Sequence, residues 1–231
     1  MTNITKKRIT IKITLKYIID ALRSARLSFY FPYLIFKNYW HGKQIEDTKR
    51  ELLKVSEICH DKGEGGDNRT MEAGTFVNDK SNIRAYENDY YLHKYASNYF
   101  GRNVQSSAMI SVLPVGKSSG GGWHVDSVRP GIKALMYLSD VNASNGPFSM
   151  LMNYRDGYVQ HNSDKRKTRY DDTTIFNQLK LGATIHTLTA GAGTVIVFDT
   201  SHIHRGVPLK LGIRMSITNY YDNRIRSRCK Y

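Results

Sequence analysis

From about residue 105 onward the chain breaks into short β-rich runs separated by Gly, Pro, Asn or Asp, and this limits the possible folds more than any other feature. The runs are 107–115 (SAMISVLPV), 132–138 (IKALMYL), 184–189 (TIHTLT), 193–199 (GTVIVFD) and 213–221 (IRMSITNYY). Short strands rich in β-branched and aromatic residues, bounded by turn formers, predict a sandwich or barrel. A polar segment, 153–180, interrupts them and contains DKRKTRYDD. Stretches of that length without regular structure are functional or disordered.

The region before residue 105 reads differently. Ile9, Ile11, Ile13, Leu15 and Tyr17 alternate with Thr and Lys, a strand period, although 15–27 also fits a helix. Residues 45–60 have helical spacing at Leu52, Leu53, Val55 and Ile58, and the Tyr-rich stretch 82–99 reads as a second helical segment. Between them, 61–74 is a Gly-rich polar loop. The expected division is a basic helical and strand segment over 1–104 packing on the core, a β core over 105–221 carrying the 153–180 insertion, and a basic tail over 222–231.

Length and cysteine count exclude several classes. A chain of 231 residues suits one domain, or one domain with an appendage. The two cysteines, Cys59 and Cys229, lie far apart, which excludes a disulfide scaffold and a zinc ribbon. The most apolar run, 27–36, is ten residues long and contains Pro32, whereas a membrane span needs about 20 apolar residues. No uninterrupted apolar stretch follows Lys6, Lys7 and Arg8, so no secretory signal is expected and the cytoplasm is the expected location.

The net charge of +14 is unevenly spread. The first 50 residues hold 11 Lys/Arg against three acidic residues, and the last ten hold four against one. Residues 51–152 are nearly neutral, with 10 basic and 11 acidic groups. One reading is simple solubility. A second is peripheral contact of residues 1–50 with an anionic membrane surface, since Lys16, Arg23 and Arg26 interleave with apolar residues ahead of the aromatic run FYFPYLIF. A third is nucleic acid, because basic patches bind phosphate without reading sequence.

The chemistry is concentrated in Trp123-His124-Val125-Asp126. On an extended segment residues i and i+2 point to one side, so His124 and Asp126 aim an imidazole and a carboxylate at one place. A second histidine source, Ser201-His202-Ile203-His204-Arg205-Gly206, follows the run GTVIVFD 80 residues later. Two histidines and one carboxylate on one face of an octahedral ion form the non-haem Fe(II) facial triad, with open positions for a cosubstrate and O2. Ten residues after His204 comes Arg214, with Ser216 two further on. A buried arginine facing a metal cavity needs a carboxylate to meet it, and a planar guanidinium holds one in a bidentate fork.

At GWHVD, KALMYLSDVNASNGPF, GAGTVIVFDTSHIHRGVP and GIRMSITNYY the sequence resembles the iron(II)/2-oxoglutarate-dependent oxygenases, and within them the phytanoyl-CoA dioxygenase (PhyH) family. The resemblance covers about residues 105–221. It implies a mainly β protein with flanking helices around a double-stranded β-helix, a jelly-roll or cupin-like core. It also implies that His124, Asp126 and His204 bind Fe(II). Arg214 would hold the distal carboxylate of 2-oxoglutarate with help from Ser216. His204 is preferred to His202 because it directly precedes Arg-Gly and because of its spacing to Arg214. His202 is then a neighbour of the metal ligands or a substrate-facing group. The implied reaction is hydroxylation of an unactivated C–H bond in a small, anionic metabolite or a lipid or glycan conjugate.

Arg129, Arg205 and the basic 153–180 insertion are the candidate substrate contacts. Lys133 reads either as a rim lysine or as a contact to the cosubstrate. Two departures from the family pattern stand out: SMLMNYRDGY follows NGPF in place of a Gly-Ser-His segment, and Gly206 stands where a hydroxyl residue is common. Other readings of the same residues are a nucleic-acid demethylase of the superfamily, a metal cupin, and a non-catalytic jelly-roll binding module. DNA-repair dealkylases carry a second arginine six residues after the first; Tyr220 occupies that position here, so nucleic acid is the disfavoured partner.

Overall fold

The computed structural model describes residues 32–58, 70–72, 81–116, 121–126, 131–155 and 168–222. The expected strand at 8–17, the helix at 15–27, most of the membrane-contact stretch, Arg129, both cysteines and residues 223–231 lie outside the described residues.

Two antiparallel sheets form the frame. The larger contains β1 (Tyr33–Phe36), β2 (Thr70–Glu72), β3 (Gln105–Leu113), β4 (Ile132–Tyr137), β7 (Val195–Asp199) and β9 (Arg214–Asp222), in the spatial order β1-β7-β4-β9-β3-β2. The smaller contains β5 (Phe148–Met152), β6 (Thr184–Leu188) and β8 (His204–Gly206), in the order β6-β5-β8. From β4 onward the chain crosses between the sheets four times, with only β5 and β6 in succession in the same sheet.

Strand periodicity divides the large sheet into two faces. The outer face carries Ala108, Ile110 and Val112 of β3, Ala134 and Met136 of β4, Val195 and Val197 of β7, and Ile217 of β9, all buried. Three helices cover it: α1 (Lys43–Ile58), α2 (Asn82–Glu87) and α3 (Tyr90–Phe100). α1 presents Ile45, Thr48 and Leu52, spaced at i, i+3 and i+7 on one stripe. α2 supplies Ile83 and Tyr86, and the Tyr86 hydroxyl donates to the carbonyl of Ala134 at 3.0 Å. α3 supplies Leu92 and Ala96.

The inner face meets the small sheet. Leu135, Tyr137, Ile196 and Phe198 from one side pack with Phe148, Met150 and Leu188 from the other. The Tyr137 hydroxyl ties the sheets together, donating to Leu188 O at 3.0 Å and accepting from the Phe148 amide at 2.8 Å. On the far side of the small sheet a third cluster, Trp123, Val125, Leu151, Ile175, Ala183 and Ile203, is covered by α4 (Asp172–Lys180).

Several expectations change in detail. The single helical stretch at 82–99 is two helices, because the first ends at its C-cap Asn88 and Asp89 caps the second, accepting from the amides of Tyr91 and Leu92 at 3.0 Å each. The 153–180 insertion holds α4, capped by Asp171, which accepts from the Thr174 amide at 2.7 Å. The end of the aromatic run, Tyr33–Phe36, is edge strand β1 on β7, so the large sheet begins well before residue 105. Among the described residues no helix is long and apolar enough to cross a membrane.

Candidate metal centre

Residues 123–126 run as an extended segment beside β8. His124 and His204 form a hydrogen-bonded antiparallel pair: His124 N donates to His204 O at 2.9 Å and His204 N donates to His124 O at 2.8 Å. Residues opposed in this way project their side chains to the same face. The two imidazole centroids are consequently 4.4 Å apart. Asp126, two residues after His124, returns to that face, and its amide is fixed by Thr200 O at 3.1 Å.

The ligand atoms converge. His124 Nε2 is 3.5 Å from Asp126 Oδ1, and His204 Nε2 is 3.7 Å from the same oxygen. One atom from each of the three residues lies within 4.8 Å of the others. Each ring is held from behind: His124 Nδ1 contacts Gly122 O at 2.8 Å and His204 Nδ1 contacts His202 O at 2.8 Å. With a carbonyl as partner, Nδ1 carries the proton and Nε2 keeps its lone pair for a metal. Burial drives the His204 imidazole down to about 3, against the opposing pull of the Asp126 carboxylate, so the ring is neutral and able to ligate. Burial pushes the Asp126 carboxyl up, yet Lys133 and the two histidines outweigh it and hold it well below the usual carboxylate range. The donor set, two imidazole nitrogens and one carboxylate oxygen, fits a first-row divalent ion such as Fe(II).

The turn that delivers His204 is braced. Asp199 Oδ1 accepts from Ser201 N at 2.8 Å and Ser201 Oγ at 2.7 Å, while Oδ2 accepts from the Tyr99 hydroxyl of α3 at 2.5 Å. Phe148 and Phe198 pack on the His204 ring with centroids at 5.6 and 5.1 Å.

Along the inner face of the large sheet the polar groups run in register away from His124, Asp126 and His204. Lys133 lies opposite Tyr220, Leu135 opposite Thr218, Tyr137 opposite Ser216, and Arg214 comes last, opposite Leu113 of β3. Arg214 is 2% exposed and its Nη1 donates to the carbonyl of Gly146. That carbonyl is set by a left-handed turn with φ +76°, and a Cβ on Gly146 would lie 2.4 Å from Leu209 Cδ1, so glycine is required there. Ser216 and Ser111 face each other beside Arg214, both buried. The Ser111 hydroxyl finds no hydrogen-bond partner among the described residues. A carboxylate placed at this end would meet a guanidinium and up to two hydroxyls.

Other candidates from the sequence fall elsewhere. Arg205 alternates with His204 along β8 and so occupies the opposite face, its guanidinium 4.3 Å above the Trp123 ring. His202 also turns outward, its ring edge-on to Tyr154 at 6.4 Å. Lys133 is not a rim lysine: it is 8% exposed, its Nζ lies 2.5 Å from Asp126 Oδ2, and it rests 4.2 Å above the Tyr220 ring. Arg169, which the sequence shows only as one cation in a basic run, is bridged to His124 and therefore shares its face; it is exposed and donates to Gly121 O at 3.0 Å. Ser111 and Gly146 also escaped sequence reasoning, since a serine in a strand and a glycine in a turn carry no mark of what lies across from them.

Comparison with solved structures places the fold. The epimerase SnoN from nogalamycin biosynthesis, in complex with Fe3+, alpha ketoglutarate and nogalamycin RO, matches with TM-score 0.64 at 13% identity, over 88% of this chain and 84% of that one. A Pseudomonas putida prolyl-4-hydroxylase matches with TM-score 0.62 at 12% identity, over 88% and 98%. EctD from S. alaskensis with bound Fe matches with TM-score 0.63 at 16% identity, over 87% and 75%. The fold is the double-stranded β-helix. No family model matches the chain, and no curated protein matches it. Within the double-stranded β-helix, the three convergent side chains sit on the small-sheet side and Arg214 on the large sheet, with the apolar inner cluster between the sheets.

Proposed function

We propose that the protein is an Fe(II)- and 2-oxoglutarate-dependent dioxygenase. The observation that carries this is the convergence of His124 Nε2, Asp126 Oδ1 and His204 Nε2, with both imidazoles tethered through Nδ1, in a fold shared with SnoN, EctD and a prolyl-4-hydroxylase. His124, Asp126 and His204 hold the iron, and three protein donors leave positions open for the cosubstrate and O2. Arg214, with Ser216 and the unpartnered Ser111 hydroxyl, holds the distal carboxylate of 2-oxoglutarate. When bound, iron with 2-oxoglutarate and O2 supplies an oxidant able to attack an unactivated C–H bond. The chain's own part is to fix the ligand geometry and to exclude water, which Leu135, Phe148, Met150 and Phe198 do as an apolar wall between the two ends.

Within that class we assign the PhyH-like type and a hydroxylation reaction, on the motifs around His124, Gly146, His204 and Arg214. The substrate proposed is a small anionic molecule or conjugate. Its support is Arg169, on the same face as His124 and open to solvent, together with the adjoining run Lys165, Arg166 and Lys167.

The test is uncoupled turnover. Purified protein with Fe(II), 2-oxoglutarate and O2 is expected to release succinate slowly without substrate, and the His124→Ala variant to release at least about tenfold less. Substrates are then ranked by how far they accelerate succinate release, anionic compounds first. Tight iron binding without succinate, in every condition and with every compound, would leave a metal cupin or a binding module in place of the oxygenase.

A further inference from the structure

Resting on the metal-binding reading above, we propose that Lys133 is the positioning residue of the iron site: it engages one oxygen of Asp126 and so commits the carboxylate to the metal through the other. The two carboxylate oxygens have separate partners. Oδ1 faces the two imidazole nitrogens at 3.5 and 3.7 Å, and Oδ2 lies 2.5 Å from Lys133 Nζ. Asp126 lies outside the named strands of both sheets, and its side chain is 27% exposed. Its two neighbours in the triad are each fixed by a carbonyl behind the ring. Among the described residues no backbone group props the aspartate's carboxylate, and the lysine occupies the equivalent place.

Lys133 is itself fixed. It belongs to β4 in the middle of the large sheet, paired with Phe198 on one side and Tyr220 on the other. Its side chain leaves the strand on the inner face, is 8% exposed, and passes over the Tyr220 ring at 4.2 Å. A buried ammonium with a carboxylate on its head and an aromatic face along its flank has little freedom left. The large sheet thus reaches across to orient a ligand that the small-sheet side supplies.

Two physical effects of Lys133 on a bound dication have opposite signs, which makes the proposal decidable. A positive charge beside a metal ion repels it, so charge alone predicts that removing Lys133 tightens metal binding. A group that orients a ligand improves binding, and loss of such a partner typically weakens metal affinity about 10–100-fold. The experiment titrates the full-length protein with Mn(II) and Co(II) in the absence of 2-oxoglutarate, comparing wild type with Lys133→Met, Lys133→Arg, Tyr220→Leu and His124→Ala. The expected result is about tenfold or greater weakening in Lys133→Met, near-wild-type affinity in Lys133→Arg, and a smaller weakening in Tyr220→Leu, each with an unchanged circular-dichroism spectrum. Unchanged or tighter binding in Lys133→Met overturns the proposal while wild type still binds more tightly than His124→Ala. Should Lys133→Met fail to fold, Tyr220→Leu carries the test, and unchanged affinity in that half-buried position overturns the proposal equally. Wild type binding no better than His124→Ala is a different outcome: it removes the metal-site reading itself.

Discussion

The two faces of the large sheet come from the same strands and do different work. The outward residues of β3, β4, β7 and β9 are mostly Ala, Val, Ile and Met, joined on β9 by Asn219 and Tyr221, and are closed over by α1, α2 and α3. The inward residues of β4 and β9 include Lys133, Tyr137, Tyr220, Ser216 and Arg214, and they face a polar centre at each end with apolar side chains between. A one-residue shift in register would exchange the two sets. The outer face supplies the hydrophobic burial that permits the inner face to carry buried cations and an unpartnered hydroxyl. Stability and chemistry are therefore separable by substitution.

The sharpest break in that comparison comes from His204. Replacing it with Ala removes one of the three proposed ligands, and we expect Co(II) affinity to fall by about a hundredfold or more, beyond what loss of a ligand's partner causes. The melting temperature of the metal-free protein should change little by comparison. Ile110, fully buried on the outer face, should give the converse. Ile110→Ala is expected to lose about 2–5 kcal/mol in denaturant unfolding while metal affinity at low temperature stays within error.

The inner face was partly legible before any coordinates. His-x-Asp announces itself because two-residue spacing on an extended segment fixes direction, and Arg214 stands out as a cation inside an apolar strand. Five of the seven strands over 105–221 were readable because turn residues bracket them, whereas β5 and β8 of the small sheet were not. What failed to show were features set by partners distant in sequence. Tyr33–Phe36 looks like any aromatic run until β7 is beside it. Lys133 looks like a rim lysine until Asp126 and Tyr220 close on it. Arg205 and His204 are neighbours in sequence, and only the small sheet's pleat sends them to opposite faces. The break between α2 and α3 depends on one capping side chain, Asp89, inside a continuous helical pattern.

The far end of the inner face sharpens the comparison further. Arg214→Met is expected to weaken 2-oxoglutarate binding about 10–100-fold, the usual worth of a charged hydrogen bond in a buried site. Ser111→Ala should weaken it by a few-fold, and should leave the ligand-free protein as stable as before or slightly more so, since an unpartnered buried hydroxyl is removed. Isothermal titration and thermal melts on the same samples check both.

Acid tests the metal end. His204 stays neutral in the fold down to about 3 but takes up a proton near 6.5 when unfolded. The unfolded chain therefore binds more protons across that window, and the metal-free protein should lose stability as pH falls below about 6.5, with full stability above it. A His204→Gln variant should show a shallower decline in melting temperature over the same range.

The central claim is that two imidazoles, one carboxylate and a remote guanidinium hold an iron–2-oxoglutarate pair. The most direct measurement is anaerobic addition of Fe(II) and then 2-oxoglutarate to the purified chain, followed by visible absorption. The account predicts a weak charge-transfer band that saturates at one iron per chain, disappears in His124→Ala and needs far more 2-oxoglutarate in Arg214→Met. A band of equal strength in His124→Ala, or no band in wild type that demonstrably binds iron, would contradict it.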